Sequence, residues 1–457
     1  MTVFKRSVSS RSVAVFSGEV LLIFGSLALA LEMRGVDGRT ADLLLKAAVT
    51  AVLWQLCLYY NDFYDLTLTQ SSRELVVRLL QAVGAAAIVL AGLYALVPAL
   101  DLGTWVVITA LCLFLVGVLV WRLAFNRVAS ARPLGERILI VGTGMDARAV
   151  ARQILLQHDF AYRLVGFIDD EAPDASTAVP RQRVIGTSRD LLRLVREHRV
   201  DRIVVGLSDR RGHLPIRELM QAKLAGVWVE DLTATYERIT GKILVDTLRP
   251  SWLIFSDGFR VSRTARAVKR AMDVGIALVG LVLAAPLIAL TALAVWLETG
   301  RPVHYCQERV GENGSTFTLY KFRSMRTDAE QGTPVWARDG DDRVTRVGRI
   351  IRKTRLDELP QLWNVLHGDM SFVGPRPERP FFVAQLAAQI PFYQQRHAVK
   401  PGITGWAQVK YRYGASVEDA MEKLRYDLYY IKNLSPLFDM TIVIDTVKVI
   451  LFRQGAQ

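Results

Sequence analysis

The sequence predicts a membrane protein: an N-terminal four-helix transmembrane bundle, a Rossmann-like α/β middle domain, and a polar C-terminal domain that carries a fifth apolar helix. Four apolar segments of about 18–24 residues open the chain. A βαβ rhythm with a glycine turn follows from about residue 133. A fifth apolar run, broken by a central proline, then precedes a motif-dense remainder. The expected domains are 1–132, 133–262 and 263–457.

Bulk composition agrees with that division. The chain has 457 residues, of which 51% are apolar and 22% charged. The first figure is high for a protein wholly in water, and the second is too high for one wholly in lipid. Net charge is +13, which suits anionic lipid, anionic substrates or nucleic acid. No zinc-finger spacing and no RNP-like aromatic motif is present, so a nucleic-acid partner is not expected. Cys57, Cys112 and Cys306 lie far apart, two of them in apolar runs, which argues against a disulfide framework and a metal cluster. The six histidines show no H-x-H or H-x-x-x-H spacing.

The apolar segments fall at 14–32, 42–60, 76–99 and 104–121. Lys5, Arg6 and Arg11 favour a cytoplasmic N-terminus. Four crossings return the chain to that side, where Arg122, Arg127, Arg132 and Arg137 agree. A signal peptide is the alternative for 14–32, since Ala28-Leu29-Ala30 resembles a cleavage site. The three further segments and the charge bias fit an uncleaved anchor better.

In the middle domain, Arg137-Ile138-Leu139-Ile140-Val141 reads as a buried strand. It leads into Gly142-Thr143-Gly144-Met145-Asp146-Ala147 and a helix to about 157. Further strands are expected at 164–168, ending on Asp169-Asp170, and at 202–206. A G-x-G-x-x-A turn with an acidic residue about 25 positions on makes Gly142 and Gly144 candidate cofactor-binding positions. A structural or regulatory module is the competing reading. No Y-x-x-x-K pair occurs, so the short-chain dehydrogenase/epimerase dyad is absent.

Residues 230–268 read as a connector. Lys269-Arg270-Ala271-Met272-Asp273 then introduces the fifth run, about 274–297, with Pro286 near its middle. Proline removes a helix hydrogen bond and clashes with the preceding turn. Periodicity leaves two forms open, a kinked spanning helix and a re-entrant helix-break-helix over about 271–298.

The C-terminal domain holds the chemistry. Asp357-Glu358 sits within Arg352-Lys353-Thr354-Arg355-Leu356-Asp357-Glu358-Leu359-Pro360. Two adjacent carboxylates repel, so arginines, a divalent metal or a phosphate substrate must hold them. An attacking carboxylate, a metal-holding carboxylate and phosphate-binding cations together suit phosphoryl transfer. Upstream, Gln307-Glu308-Arg309-Val310-Gly311 leads through Gly314 to Lys321-Phe322-Arg323-Ser324-Met325. Its two alternating cations are expected on one side of a strand, gripping a diphosphate. Downstream, Asn364-Val365-Leu366-His367-Gly368-Asp369 leads to Gly374-Pro375-Arg376-Pro377, a rigid turn presenting one arginine. Lys400-Pro401-Gly402-Ile403-Thr404-Gly405-Trp406 is a glycine-bounded loop. Singly each block is ordinary; an acid pair usually marks a solvated surface or a helix start. Their order and spacing carry the case. Substrates activated inside the cell also tip the fifth run towards re-entry, because a spanning helix would put these blocks outside.

The stretch from about 265 to the C-terminus resembles the monotopic phosphoglycosyltransferases of the bacterial sugar transferase family. The matching features are Lys269-Arg270 with Asp273, the Pro286 break, Lys321-Phe322-Arg323-Ser324-Met325, Asp357-Glu358-Leu359-Pro360-Gln361, Gly374-Pro375-Arg376-Pro377 and Pro401-Gly402-Ile403-Thr404-Gly405. With four preceding helices and a Rossmann-like middle, the whole chain is similar to the large form that starts exopolysaccharide, O-antigen or capsule repeat units. Many relatives have Ser before the break proline, where this chain has Ala285.

The resemblance implies that Asp357 attacks a UDP-sugar, releasing UMP and forming a phosphosugar-aspartyl intermediate, which undecaprenyl phosphate then takes up. It implies Glu358 as the Mg²⁺ ligand, and Lys321, Arg323, Arg352 and Arg376 are the expected phosphate contacts. The location it implies is the bacterial inner membrane, with the catalytic domain on the cytoplasmic face among inner-membrane lipid, and a homodimer fits the large relatives. Phe381-Phe382-Val383 and Tyr429-Tyr430-Ile431 suit either the interface or a core. Rival functions are a membrane-anchored sugar-nucleotide oxidoreductase or epimerase, and a non-catalytic scaffold for polysaccharide export.

Overall fold

The computed structural model describes residues 2–3, 6–7, 10–35, 41–61, 63–64, 72–131, 136–156, 162–170, 184–206, 214–246, 248, 253, 255–256, 258–326, 341–411, 414 and 416–452. The chain forms two compact units, Met1–Thr235 and Tyr236–Gln457.

In the first unit the apolar segments become α1 (Ser10–Met33), α2 (Ala41–Tyr60), α3 (Ser72–Leu96) and α4 (Thr104–Ala131). Each contains a stretch long and apolar enough to cross a membrane. α1 packs chiefly on α4, and α2 on α3. Small residues at the seam, Ala30, Ala51, Ala82 and Ala110, let the helices approach Trp54, Phe114 and Leu79 closely. Large apolar side chains such as Leu21, Ile88, Leu96 and Val116 face outward, as lipid-facing positions do. Among the described residues a buried ion pair lies inside: Arg122 Nε donates to Glu19 Oε1 at 2.8 Å and its Nη2 to the Phe63 carbonyl at 2.7 Å. Both charges are fully buried, which demands such pairing.

The sheet of the same unit is parallel and five-stranded. Its strands are β1 (Glu136–Val141), β2 (Tyr162–Ile168), β3 (Val184–Gly186), β4 (Arg202–Val205) and β5 (Trp228–Asp231). Their spatial order is β3-β2-β1-β4-β5, the order of a doubly wound nucleotide-binding half extended past its reversal point. Helices α5 (Met145–Leu156), α6 (Leu191–Glu197) and α7 (Ile216–Leu224) connect strands. The glycine turn forms where expected. Gly142 takes φ +100° and donates its N–H to Ile168 O at 2.7 Å, a conformation that glycine adopts freely. The expected acidic residue, Asp169, accepts a 2.5 Å hydrogen bond from Thr143 Oγ1 of the turn itself. Arg148 Nε donates to Thr143 O at 2.7 Å.

After α8 (Leu232–Thr240), the second unit is built around α9 (Arg263–Thr299), helical throughout with Pro286 inside it. A stripe of buried and half-buried positions at three- and four-residue spacing includes Asp273, Ala277, Thr291 and Val295. The opposite face, with Val282, Leu283, Leu290 and Leu297, is exposed. Two strands, β6 (His304–Val310) and β7 (Thr316–Phe322), form an antiparallel hairpin. Next come α10 (Arg346–Lys353), a 3₁₀ turn at Leu356–Glu358, and α11 (Gln361–His367). Short strands β8 (Ser371–Val373) and β9 (Gly402–Thr404) pair in parallel. The helices α12 (Pro380–Gln389), α13 (Trp406–Lys410), α14 (Val417–Lys432) and α15 (Pro436–Phe452) complete the unit.

Its main core packs Trp406, Leu424, Tyr429, Tyr430 and Phe438. The connector joins that core through Ile243 and Val245, and Gly241 O accepts from Trp406 Nε1 at 2.8 Å. Phe382, Val383, Tyr429, Tyr430 and Ile431 are therefore core residues; Phe381 alone of those two triplets is exposed.

Candidate active site

The acid pair sits where α10 stops. Thr354 ends the helix and Arg355 takes a left-handed conformation, φ +60° and ψ 15°. Glycine usually fills that position, so an arginine there holds local backbone strain. The chain reverses at once into the 3₁₀ turn, which points Asp357 inward. Asp357 is buried, and its Oδ1 has no hydrogen-bond partner. Burial, and then the neighbouring Glu358 charge, push the Asp357 carboxyl above its ordinary range; Lys321, Arg352 and Arg355 oppose this without cancelling it.

Glu358 has the opposite environment. Arg376 Nη2 lies 2.7 Å from its Oε1, Lys321 Nζ 3.2 Å, and Arg355 Nη1 3.8 Å. Burial alone would raise this carboxyl; Arg376, Lys321 and Arg355 overcome it and hold Glu358 ionised well below the usual carboxylate range. Two adjacent carboxylates thus differ sharply, one unpartnered and disfavoured as an anion, the other locked as one. Environments that split a pair in this way mark acid–base and nucleophilic sites.

The supporting parts are specific. Asn364 on α11 is fully buried; its Nδ2 donates to Thr318 O at 2.7 Å and its Oδ1 accepts from Tyr320 N at 3.1 Å. It thereby stands in for a strand edge and fixes β7, hence Lys321, beside the pair. Arg270 at the start of α9 caps the far end of α11 through Val365 O and Leu366 O at 2.6 and 2.8 Å. Asp273 accepts from Ser371 Oγ and Phe372 N, tying α9 to β8. The Gly374-Pro375-Arg376-Pro377 turn and the Pro401–Gly405 loop interlock through backbone: a Cβ on Gly374 would lie 2.4 Å from Lys400 O, and one on Gly402 2.1 Å from Gly374 N.

Of the expected phosphate contacts, Lys321 and Arg376 converge on Glu358, and the charge of Arg352 reaches Asp357. Arg323 does not join them. β7 ends at Phe322, and Arg323 turns to the C-terminus of α9, where its Nη2 donates to Thr299 O, Thr299 Oγ1 and Gly300 O at 2.9, 2.7 and 2.6 Å. Its buried Nε and Nη1 have no partner. Sequence reasoning placed Asn364 at the head of a motif block without giving it a role, and missed a buried Arg396, whose Nη2 donates to Arg376 O at 3.1 Å. No local pattern marks Arg396, which lies twenty positions from the turn it touches.

Among the described residues, no three His, Cys, Asp or Glu side chains cluster closely enough to hold a metal alone. Mg²⁺ takes few protein oxygens and completes its shell with phosphates and water. The ionised Glu358 carboxylate beside Asp357 fits such an ion when it is shared with a diphosphate.

A family profile described as bacterial sugar transferase matches residues 264–453, and one described as CoA-binding domain matches 60–215. The chain is 44% identical over 241 residues to a UDP-N-acetylgalactosamine-undecaprenyl-phosphate N-acetylgalactosaminephosphotransferase of Aeromonas hydrophila, covering 53% of this chain and 56% of the relative. It is 35% identical over 334 residues to an undecaprenyl-phosphate glucose phosphotransferase of Komagataeibacter xylinus, covering 71% and 61%. These two relatives are thus matched over little more than half of their own length. A UDP-glucose:undecaprenyl-phosphate glucose-1-phosphate transferase of Xanthomonas campestris pv. campestris is 32% identical over 335 residues, 70% of this chain and 68% of its own. An acid pair split by its surroundings, on a fold anchored by long apolar helices and matched across these lengths, means that the chain belongs to the bacterial sugar transferase family.

Proposed function

We propose that the protein transfers a sugar 1-phosphate from a UDP-sugar to undecaprenyl phosphate, releasing UMP and starting a surface polysaccharide repeat unit. The observation that carries this reading is the buried, unpartnered Asp357 Oδ1 next to a carboxylate neutralised by three cations. An oxygen without a hydrogen-bond donor keeps its lone pairs for attack.

In the first step Asp357 attacks the β-phosphorus, the bond from that phosphorus to the bridging oxygen breaks, and UMP leaves with the electron pair. A phosphosugar-aspartyl acyl phosphate remains. In the second step a phosphate oxygen of the lipid attacks the same phosphorus, and the Asp357 carboxylate leaves. Lys321 and Arg376 neutralise the diphosphate, exchanging part of their hold on Glu358 for substrate oxygens. Arg352 steadies charge beside Asp357. Glu358, together with the diphosphate, would hold a Mg²⁺ ion, which supplies charge neutralisation during transfer.

The bonding of α9 supports a membrane placement. Its first turns are bonded to β8, α11 and α15 through Lys269, Arg270 and Asp273. Its last turn is bonded to α10 and to Arg323 through Glu298, Thr299 and Gly300. A stripe along the helix packs on the same unit. Spanning would therefore drag α10, α11 and the acid pair into hydrocarbon, at several kcal/mol per charge. The reading that fits is a re-entrant helix, its exposed face in one leaflet and the catalytic unit on the cytoplasmic side of the inner membrane.

The test is to incubate purified full-length protein with a panel of UDP-sugars and Mg²⁺, with and without undecaprenyl phosphate, following UMP and the mass of the peptide containing Asp357. A sugar-phosphate adduct on Asp357, discharged by the lipid, is expected. UMP release with no adduct under rapid quenching would overturn the nucleophile assignment.

A further inference from the structure

The turn that carries Arg376 is held from behind by cations on three other elements. Lys269 Nζ donates to Val373 O at 2.9 Å, Arg309 Nη1 to Pro377 O at 3.1 Å, and Arg396 Nη2 to Arg376 O at 3.1 Å. Of these three cations, Arg396 is the one bonded to Arg376 itself. Arg396 is 5% exposed and lies in the 3₁₀ segment Tyr393–Ala398. Its other nitrogens are engaged too: Nε donates to Asp427 Oδ2 at 3.1 Å and Nη1 to Tyr393 Oη at 2.8 Å, while Nη2 also lies 2.9 Å from Asp427. Three groups on three sides therefore fix the guanidinium plane. The carbonyl of Arg376 is fixed in turn, and from it the Arg376 side chain runs to Glu358 Oε1 at 2.7 Å.

A buried ion pair is a costly way to hold one helix against one turn; apolar residues of similar volume often do as well. A guanidinium supplies what they cannot, a rigid fork that binds a carboxylate on one side and presents a further N–H in a set direction. We propose that Arg396, oriented by Asp427 and Tyr393, is a positioning residue for Arg376 and so sets where the cation opposite Glu358 stands. Sub-ångström errors in such a cation are expensive in transfer chemistry. The kinetic readout rests on the transfer reading above; the placement of the turn does not.

The experiment is a double-mutant cycle in full-length protein. Arg396→Lys keeps the charge but loses the fork. UMP release is measured in single turnover with enzyme in excess, so that slow variants stay measurable. Arg396→Lys is expected to lower kcat/KM about tenfold in the wild-type background and to cause almost no further loss in an Arg376→Ala background. Tyr393→Phe, which removes one arm of the clamp, covers the case in which Arg396→Lys does not fold; a smaller loss, likewise absent beside Arg376→Ala, is expected. Amide exchange over residues 374–379 is measured in parallel and should rise in either variant while residues 136–206 stay unchanged. Equal losses in both backgrounds, or unchanged exchange over 374–379, overturn the proposal. If the wild type releases UMP from no UDP-sugar, the transfer reading falls and the exchange result alone decides the clamp.

Discussion

Arg376 Nη2 stands 2.7 Å from Glu358 Oε1 across eighteen residues of chain, so the proline-bracketed turn and the acid pair form one electrostatic unit. Lys321 joins it from β7 at 3.2 Å. The result is a carboxylate fully compensated by cations beside a carboxylate that is not.

Asp357→Asn should abolish UMP release, by more than about a thousandfold, with the protein still in the membrane. It should also raise the thermal midpoint. The folded protein disfavours the Asp357 anion, because its carboxyl is pushed up by burial and by Glu358. Removing that charge relieves the cost, and each 1 kcal/mol of relief is worth roughly 2–4 °C. A variant both inactive and less stable would contradict the second half.

The pH profile of UMP release should have an acid limb above the ordinary aspartate range, since attack needs the Asp357 anion and its carboxyl is raised. Glu358→Gln removes a repelling neighbour and the carboxylate that Lys321, Arg355 and Arg376 share. Both changes favour the Asp357 anion, so the limb should move to lower pH while the maximal rate falls. A limb that stays fixed would mean that another group sets it. The Mg²⁺ response should weaken in the same variant.

Arg323→Met should destabilise the protein by roughly 1–3 kcal/mol, because it strips the donors from Thr299 and Gly300 at the end of α9. The KM for UDP-sugar should stay close to wild type per folded molecule. A stable variant with a strongly raised KM would return Arg323 to the phosphate site.

Gly402→Ala should cost roughly 3 kcal/mol or more, since its Cβ would press on the Gly374 backbone at 2.1 Å. Gly280→Ala on α9 is the control. Its Cβ would meet only the end of Leu362 at 3.3 Å, and a helical alanine is worth about 0.5–1 kcal/mol over glycine. Thermal unfolding in detergent compares the two.

Exposed Cys306 reports topology without an introduced probe. In a variant with Cys57→Ser and Cys112→Ser, an impermeant maleimide should label Cys306 only after the cells are permeabilised. Labelling of intact spheroplasts would mean that α9 spans.

The long helices were legible because apolar runs of bilayer length have few other fates. Strands β1, β2 and β4 were legible as buried apolar runs. Strands β3 and β5 were not, since Val184–Gly186 is three residues long and Trp228–Asp231 ends in two acids. The acid pair, Lys321 and Arg376 could be read because their charges recur in a fixed order. Arg323 misled because alternation was carried one residue past the end of β7, where side-chain direction no longer follows the strand. Arg396 and Asp427 stayed hidden because an ion pair between a 3₁₀ turn and a helix has no sequence period at all.

The glycine interlock also bears on how relatives can diverge. Where Gly374 meets Gly402 and Gly405, the closest approaches are peptide against peptide. Mutation has little to tune there short of breaking the seam. Under the proposed function, preference for one sugar over another is then expected away from that glycine contact, and a search for its determinants should begin with the side chains that surround it.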